Sequence, residues 1–395
     1  MNTTNYKYYA FIPMLLISLY LTEGFFGLLP VSRMLFPVYV LAFFITYNKH
    51  TMFSKPVMLY AVSILMSIVS CYFFHGQSFY DSFLVNMTFF TLIIYFILIK
   101  LRVSPEQLER VLLYMFVIFC LCYIYQVMVY PKAVFVSENA AYNENLDASL
   151  RRIRIPGMSL AGFGFFFSLS KVLLKRYTYL PLLIMSMVVI LLFGFRTLLA
   201  FSVLFAFVLN TRINGFSKQL FIGMIVILLG GWAFSMTEFG QSTFGQMMER
   251  QDSDQTFGNK DYIRYTTLWY YLYDHFENPM EYFFGSGIAF RGTANAYAKY
   301  YERLESFGIH YYDWGILGMS WMMGVLSLVA MIWYPIKAFF TKLPKDKVYL
   351  GVWFGYLFAC GFTSAEFVRQ GCFLLQGMVL YLIYRYSNEE NSYCK

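Results

Sequence analysis

Charge is what this chain has least of: Asp, Glu, Lys and Arg make up 13% of its 395 residues, 59% are hydrophobic, and mean hydropathy is +0.54. So little charge excludes a soluble domain with a large core and defines a polytopic membrane protein. Histidine is scarce too, with 4 residues, so each one is a separate question. The 6 cysteines, Cys71, Cys120, Cys122, Cys360, Cys372 and Cys394, lie in or beside hydrophobic runs or at the tail. None falls in a long hydrophilic loop, so neither a disulfide framework nor a zinc site is expected. An internal repeat, a low-complexity linker and a P-loop are also missing, and without the P-loop an ATP-driven pump is not expected. What abounds is aromatic: 35 Tyr, 44 Phe and 6 Trp are too many for interfacial belts, so many rings must pack between helices or line a cavity.

A helix needs about 20 mostly apolar residues to cross the hydrocarbon. That rule places spans near 11–29, 31–47, 56–74, 80–99, 109–130, 157–173, 178–193, 195–210, 219–236, 311–334, 348–363 and 369–386. The early run from Phe11 lacks a basic n-region and a small-residue cleavage site, and reads as the first span rather than a signal peptide. The expected fold is therefore all-α, about 12 transmembrane helices in a single integral membrane domain, 1–395. Basic turns alternate along it: Lys49 and Lys55; Lys100, Arg102 and Arg110; Lys171, Lys175 and Arg176; Arg212 and Lys218; Lys337, Lys342, Lys345 and Lys347; Arg385 and Lys395. The positive-inside rule puts these turns and both termini in the cytoplasm, in a bacterial inner membrane, and the long segments 131–156 and 237–310 on the opposite, periplasmic face. The net charge of +8 is scattered by this topology and forms no stripe, so no nucleic-acid partner is expected.

The arginines left on the outer side stand where basic residues are sparse: Arg151, Arg152 and Arg154 in "RRIRIPG", Arg196 in "LLFGFRTLLAF", Arg264, Arg291 and Arg303 in the large loop, and Arg369 at the last outer turn. Their forked guanidinium groups match phosphate oxygens, and several around one cavity would hold a pyrophosphate. Arg33, Arg151 and Arg303 fit equally well as residues snorkelling to lipid headgroups. In "DYIRYTTLWYYLYDHFENP", 261–279, Tyr262, Tyr265, Trp269, Leu272, Tyr273 and Phe276 recur at helical spacing, with Arg264, Leu268, Tyr271 and His275 along the other face. Arg264 then lies in the first turn, where free N–H groups favour an anion. Gly285 and Gly287 mark a tight turn before Arg291, and a second short helix spans about 294–306, ending near Gly308. His310, with Asp313 three residues on, is either a packing residue at a helix start or a base, since imidazole titrates in the useful range.

In order and sidedness these features resemble the bacterial O-antigen polymerase and ligase group, Wzy-like integral membrane glycosyltransferases. The matching stretches are Arg196 in "FGFRTLLAF", where the family usually has Ser before the arginine and this chain has Phe195; then Arg264, Trp269, "NPMEYFFGSG", His310 with Asp313, and "DWGILGMSWMMG". The match covers about 190–330, and the first half only in span count. "HYYD" stands where ligases show His-Asn, which favours a polymerase.

The resemblance implies a GT-C-like membrane enzyme with a partly helical periplasmic loop, 237–310, and a periplasm-facing site. Its donor would be an undecaprenyl-pyrophosphate-linked oligosaccharide, and its acceptor a non-reducing-end sugar hydroxyl on another lipid-linked repeat unit. Arg196, Arg264, Arg291, Arg369 and Arg154 would grip the pyrophosphate, and Trp269, Tyr271, His275 and Tyr311 the glycan. His310 and Asp313 would take the acceptor proton, with Asp313 alone or His275 as alternatives. No metal and no cofactor are required, inversion follows from single displacement, and the partners are the lipid-linked glycan, the bilayer and a chain-length regulator protein. The competing expectations are a ligase moving the glycan to lipid A core, a lipid-linked oligosaccharide flippase, and a structural scaffold. A flippase would show related halves, and none is evident.

Overall fold

The computed structural model describes residues 47–129, 157–193, 195–215, 263–291, 295–362, 364–369 and 371–393, with positions 45, 134, 146, 147, 152, 153 and 236 besides. Among them the architecture is helical, apart from a two-residue antiparallel pair, β1 (Leu146–Asp147) with β2 (Arg152–Ile153). The expected span 11–29, and almost all of 31–47 and 219–236, lie outside the described residues.

The first half forms long antiparallel helices with legible ends. α1 (Ser54–His75) stops at Gly76 in the left-handed region, φ 66°. Ser78 caps α2 (Phe79–Phe90) by accepting from Asp81 N–H at 3.1 Å. A 3₁₀ turn, Thr91–Ile93, then joins α2 to α3 (Ile94–Leu101). Ser104 caps α4 (Pro105–Met128), whose Pro105 sits where a missing N–H costs nothing. α5 (Ser159–Leu173), α6 (Leu180–Leu192) and α7 (Arg196–Asn214) follow. Four stretches are long and apolar enough to cross a membrane: Ser54–His75, Phe79–Leu101, Pro105–Met128 and Thr197–Asn214. Shorter apolar helices occupy Ser159–Leu173, Tyr177–Leu192, Val325–Phe340 and Val348–Cys360.

The loop contributes α8 (Ile263–Trp269), widened into a π turn over Tyr270–Asp274, then α9 (Met280–Phe284) and α10 (Ala296–Ser306). The anticipated helix 294–306 matches α10, capped by Asn295 Oδ1 on Ala298 N–H at 2.6 Å. The continuous span expected over 311–334 is not what forms. A 3₁₀ turn, Tyr311–Trp314, leads into the eight-residue α11 (Ile316–Met323), and Gly324, φ 81° and ψ 170°, breaks the chain before α12 (Val325–Phe340). Only glycine adopts that conformation comfortably. α13 (Val348–Cys360) and α14 (Cys372–Tyr393) complete the bundle, joined through a 3₁₀ turn at Ala365–Phe367.

The alternating helices collect the basic turns at one end. There Arg212 Nη1 donates to Phe339 O at 2.8 Å, and Lys337 Nζ to Met52 O at 2.7 Å. Glu109, 7% exposed, pairs with Lys347 and, at 3.8 Å, with Lys171, while Tyr386 donates to it at 2.8 Å. The loop elements, the start of α5 and the turn between α13 and α14 gather at the opposite end.

Candidate functional site

The loop is fastened to the bundle by backbone contact. Breaking the helix at Gly324 frees the Trp321 and Met322 carbonyls, which accept from Ser286 N–H at 3.1 Å and Gly287 N–H at 2.9 Å. Gly285, φ 81°, crosses so close that a Cβ there would stand 2.2 Å from Met322 O. Ser70 Oγ of α1 donates to Gly285 O at 2.6 Å, and Gln77 bridges Ile288 O and Phe290 N.

Above this crossing lies a buried polar and aromatic network. His275 is 3% exposed; its Nε2 meets Ser286 Oγ at 3.0 Å and Tyr301 OH at 3.3 Å, and its Nδ1 meets Tyr270 OH at 3.1 Å. Burial, reinforced by His75, pulls His275 down to about 3, so the ring stays neutral. Tyr271 stacks on Trp321 with centroids 4.6 Å apart. His75, at the end of α1, pairs with the buried Glu281 at 2.5 Å and stacks on Tyr297. With both ring nitrogens engaged and little of its surface exposed, His275 with its partner Ser286 is placed to anchor the loop.

Sequence spacing anticipates the two faces of α8 and leaves their orientation open. Thr267, Tyr271 and His275 turn inward, with Arg264 and Leu268 half-buried beside them. The more aromatic face is outward: Trp269 (57% exposed) and Tyr273 (66%) stack on each other at 4.9 Å. The π turn shifts Leu272 and Tyr273 out of the register of a regular helix.

Around this anchor a rim of ionisable groups forms. Trp314 Nε1 donates to Arg264 O at 3.2 Å, tying α8 to the 311–314 turn. Ile316 N–H donates to Gly361 O at 2.8 Å, tying that turn to the α13–α14 connection. Between these ties stand His310, whose Nδ1 shares a hydrogen bond with Tyr312 OH at 3.0 Å, and Asp313, whose N–H donates to His310 O. Tyr311, its hydroxyl pushed up to about 12 by burial, feels the opposing pull of Arg291, which is exposed and paired with Glu305. Arg369 faces Glu366, Nε to Oε2 3.4 Å, and its Nη1 reaches Met158 Sδ at 3.2 Å.

Of the predicted site residues, the structure places Arg264, the His310–Asp313 stretch with Tyr311, and Arg369 on segments that touch one another, with Arg291 within electrostatic reach of Tyr311. Tyr271 and His275 lie beneath, and Trp269 lies on the outer face of α8. Arg196 opens α7, though its side chain lies outside the described residues, as do Arg151, Arg154 and the side chain of Arg152. His75, Glu281 and Ser286 were missed; the available signal was a lone histidine and a lone carboxylate, each embedded in aromatic sequence. Among the described residues no group of three His, Cys, Asp or Glu could hold a metal ion.

Fold and composition define the class as a multi-helix membrane protein. No family model, curated protein or solved structure matches the chain.

Proposed function

We propose that this chain is a membrane glycosyltransferase of the Wzy-like kind, a polymerase that moves an undecaprenyl-pyrophosphate-linked glycan onto the non-reducing end of another lipid-linked unit. The observation that supports it is the rim: the segments that carry Arg264, His310 with Asp313, and Arg369 meet at the end of the bundle opposite the basic turns, joined by one side-chain-to-backbone bond, Trp314 to Arg264 O, and one backbone bond, Ile316 to Gly361. In this reading the basic end faces the cytoplasm of a bacterial inner membrane and the rim faces the periplasm.

The reaction is a single displacement. The acceptor hydroxyl oxygen attacks the anomeric carbon and gives its proton to His310. The bond from that carbon to the pyrophosphate oxygen breaks, and its electron pair leaves with the pyrophosphate. Arg264 and Arg369, joined by Arg196 at the head of α7, stabilise that charge. The guanidinium of Arg264 meets no carboxylate among the described residues. The stacked faces of Trp269 and Tyr273 would hold sugar rings.

The test is chain extension by purified protein in lipid discs supplied with a lipid-linked oligosaccharide. Arg264→Ala and Arg196→Ala should each abolish most extension at normal expression. His310→Ala and His310→Gln should bind donor but extend it about a hundredfold more slowly. Full extension by both arginine variants would refute the proposal, and transfer to a lipid A core acceptor alone would identify a ligase.

A further inference from the structure

The turn between α13 and α14 holds a carboxylate that the proposed reaction does not use. Glu366 is 2% exposed, in a 3₁₀ turn whose N–H meets Ser364 Oγ at 3.4 Å. Its charged neighbour is Arg369, but the 3.4 Å approach is too poorly aligned for a hydrogen bond, which leaves Glu366 Oε2 and Arg369 Nε without one among the described residues. A guanidinium carries five N–H donors. The hydrogen-bond acceptor that Arg369 reaches is a thioether sulfur, Met158 Sδ, which is a weak one. The arginine side chain keeps 24% of its surface exposed and the carboxylate 3%, so the cation stands at the rim with the anion behind it.

The other ionisable groups around Glu366 are Tyr356 and Cys360 of α13 and Cys372 of α14, each within electrostatic reach of it. The packed 311–314 turn adds Tyr311, Tyr312 and Asp313. Arg369 is the one cation that the described residues of these elements present at this end.

We propose that the Glu366–Arg369 turn is a phosphate-binding site with a resident counter-ion: a phosphate of a lipid-linked ligand takes the Arg369 donors, and Glu366, losing its partner, takes a proton from solvent. No covalent bond changes; one proton moves from water to the Glu366 carboxylate for each phosphate bound. The driving force is that a buried carboxylate stripped of its cation and set beside a second anion is stable only when neutral. Burial already pushes Glu366 above the usual carboxylate range, and Arg369 pulls it back. The choice of a pyrophosphate-linked glycan as the ligand rests on the function proposed above; the phosphate site and its proton do not.

The experiment is titration calorimetry of the full chain in neutral lipid discs. It is run in two buffers of different ionisation enthalpy, with a polyprenyl-pyrophosphoryl sugar whose diester phosphates do not titrate in the working range. Wild-type protein should take up one proton per probe, with affinity tightening about tenfold for each unit the pH falls. Glu366→Gln keeps the shape and removes the charge, so it should bind at least about tenfold more tightly at pH 8, with no proton uptake and no pH dependence. Glu366→Asp should restore proton uptake, and Arg369→Gln should lose at least about tenfold in affinity. Proton uptake that persists in Glu366→Gln, or wild-type affinity that ignores pH, overturns the proposal. Discs containing phosphatidylglycerol distinguish the source: competition by that lipid, with the same proton uptake, assigns the site to a headgroup phosphate. Binding with proton uptake but no glycan transfer would sink the proposed function and leave this site standing; polymerisation without proton uptake would do the reverse.

Discussion

Substituting Gly285 by alanine puts a methyl group where the backbone at the α11–α12 break already stands. At φ 81° and ψ 157° the residue occupies a region that is almost glycine's alone, which costs another residue about 1–3 kcal/mol. The new Cβ would also lie 2.2 Å from Met322 O and 2.6 Å from Gly324 N, atoms that cannot swing aside as a side chain would. Forcing such an overlap adds about 1–3 kcal/mol. The sum, about 2–6 kcal/mol, falls on the contact that seats the loop, so its undocked fraction should rise by about 30-fold or more. Gly76→Ala is the control: its φ is 66°, nothing lies within 4 Å, and its cost is about 1–2 kcal/mol. Cys71 reports the outcome, because it is fully buried and its Sγ lies 2.8 Å from where a Cβ on Gly287 would stand. With the other cysteines replaced, maleimide should modify Cys71 much faster in Gly285→Ala than in wild type or Gly76→Ala. Equal rates in the two variants would show that the crossing does not hold the loop.

The neutral His275 makes docking pH-dependent: below its ordinary value of about 6.5 an undocked loop binds a proton that the docked loop excludes. Docking is therefore complete above about pH 6.5 and weaker by about 2 kcal/mol at pH 5, and Cys71 labelling should accelerate accordingly in wild type and stay flat in His275→Gln. At the other end, Glu109→Gln leaves Lys171 and Lys347 without their shared anion and should destabilise the bundle by about 3–5 kcal/mol. A thermal unfolding midpoint in detergent within a degree of wild type would show that Glu109 contributes no net stability.

Where an apolar run is uninterrupted and one end carries a clear stop or cap, Gly76 after α1 and Ser104 before α4, sequence and structure agree closely. α1 covers Ser54–His75 against an expected 56–74, and α4 covers Pro105–Met128 against 109–130. The stretch 311–334 reads as one span because "GILGMSWMMG" is apolar throughout. What breaks it is the neighbour that takes the freed carbonyls, and Ser286 and Gly287 lie some 35 residues away in sequence. In α8 both faces carry rings, so periodicity alone could not say which packs inward; the Trp321 face that receives Tyr271 decides it. The arginines and His310 were legible in the sequence because they fall in the stretches that the alternation of basic turns leaves sparse in basic residues. The ties that bring them together, Trp314 to Arg264 and Ile316 to Gly361, are contacts between distant segments and leave no local trace.

The same broken helix explains why a site would be built here. A continuous span through 311–334 would satisfy its own carbonyls and offer the loop nothing but side chains. Interrupted at Gly324, it presents two backbone acceptors to Ser286 and Gly287, and that backbone pairing fixes the loop more closely than side-chain packing could. Because α8 is held through Tyr271 on Trp321, and the 311–314 turn directly precedes α11, Arg264 and His310 inherit their positions from one rigid crossing. The Arg369 turn joins them through Gly315, which fits against the Gly361 carbonyl as closely as glycine alone allows, its absent Cβ lying 2.0 Å from that oxygen. Three charged segments separated by as much as a hundred residues are thus set partly by backbone contacts at glycines and partly by the rings of Tyr271, Trp321 and Trp314. Displacement of one of those glycines should therefore disturb the rim as a unit rather than one residue of it.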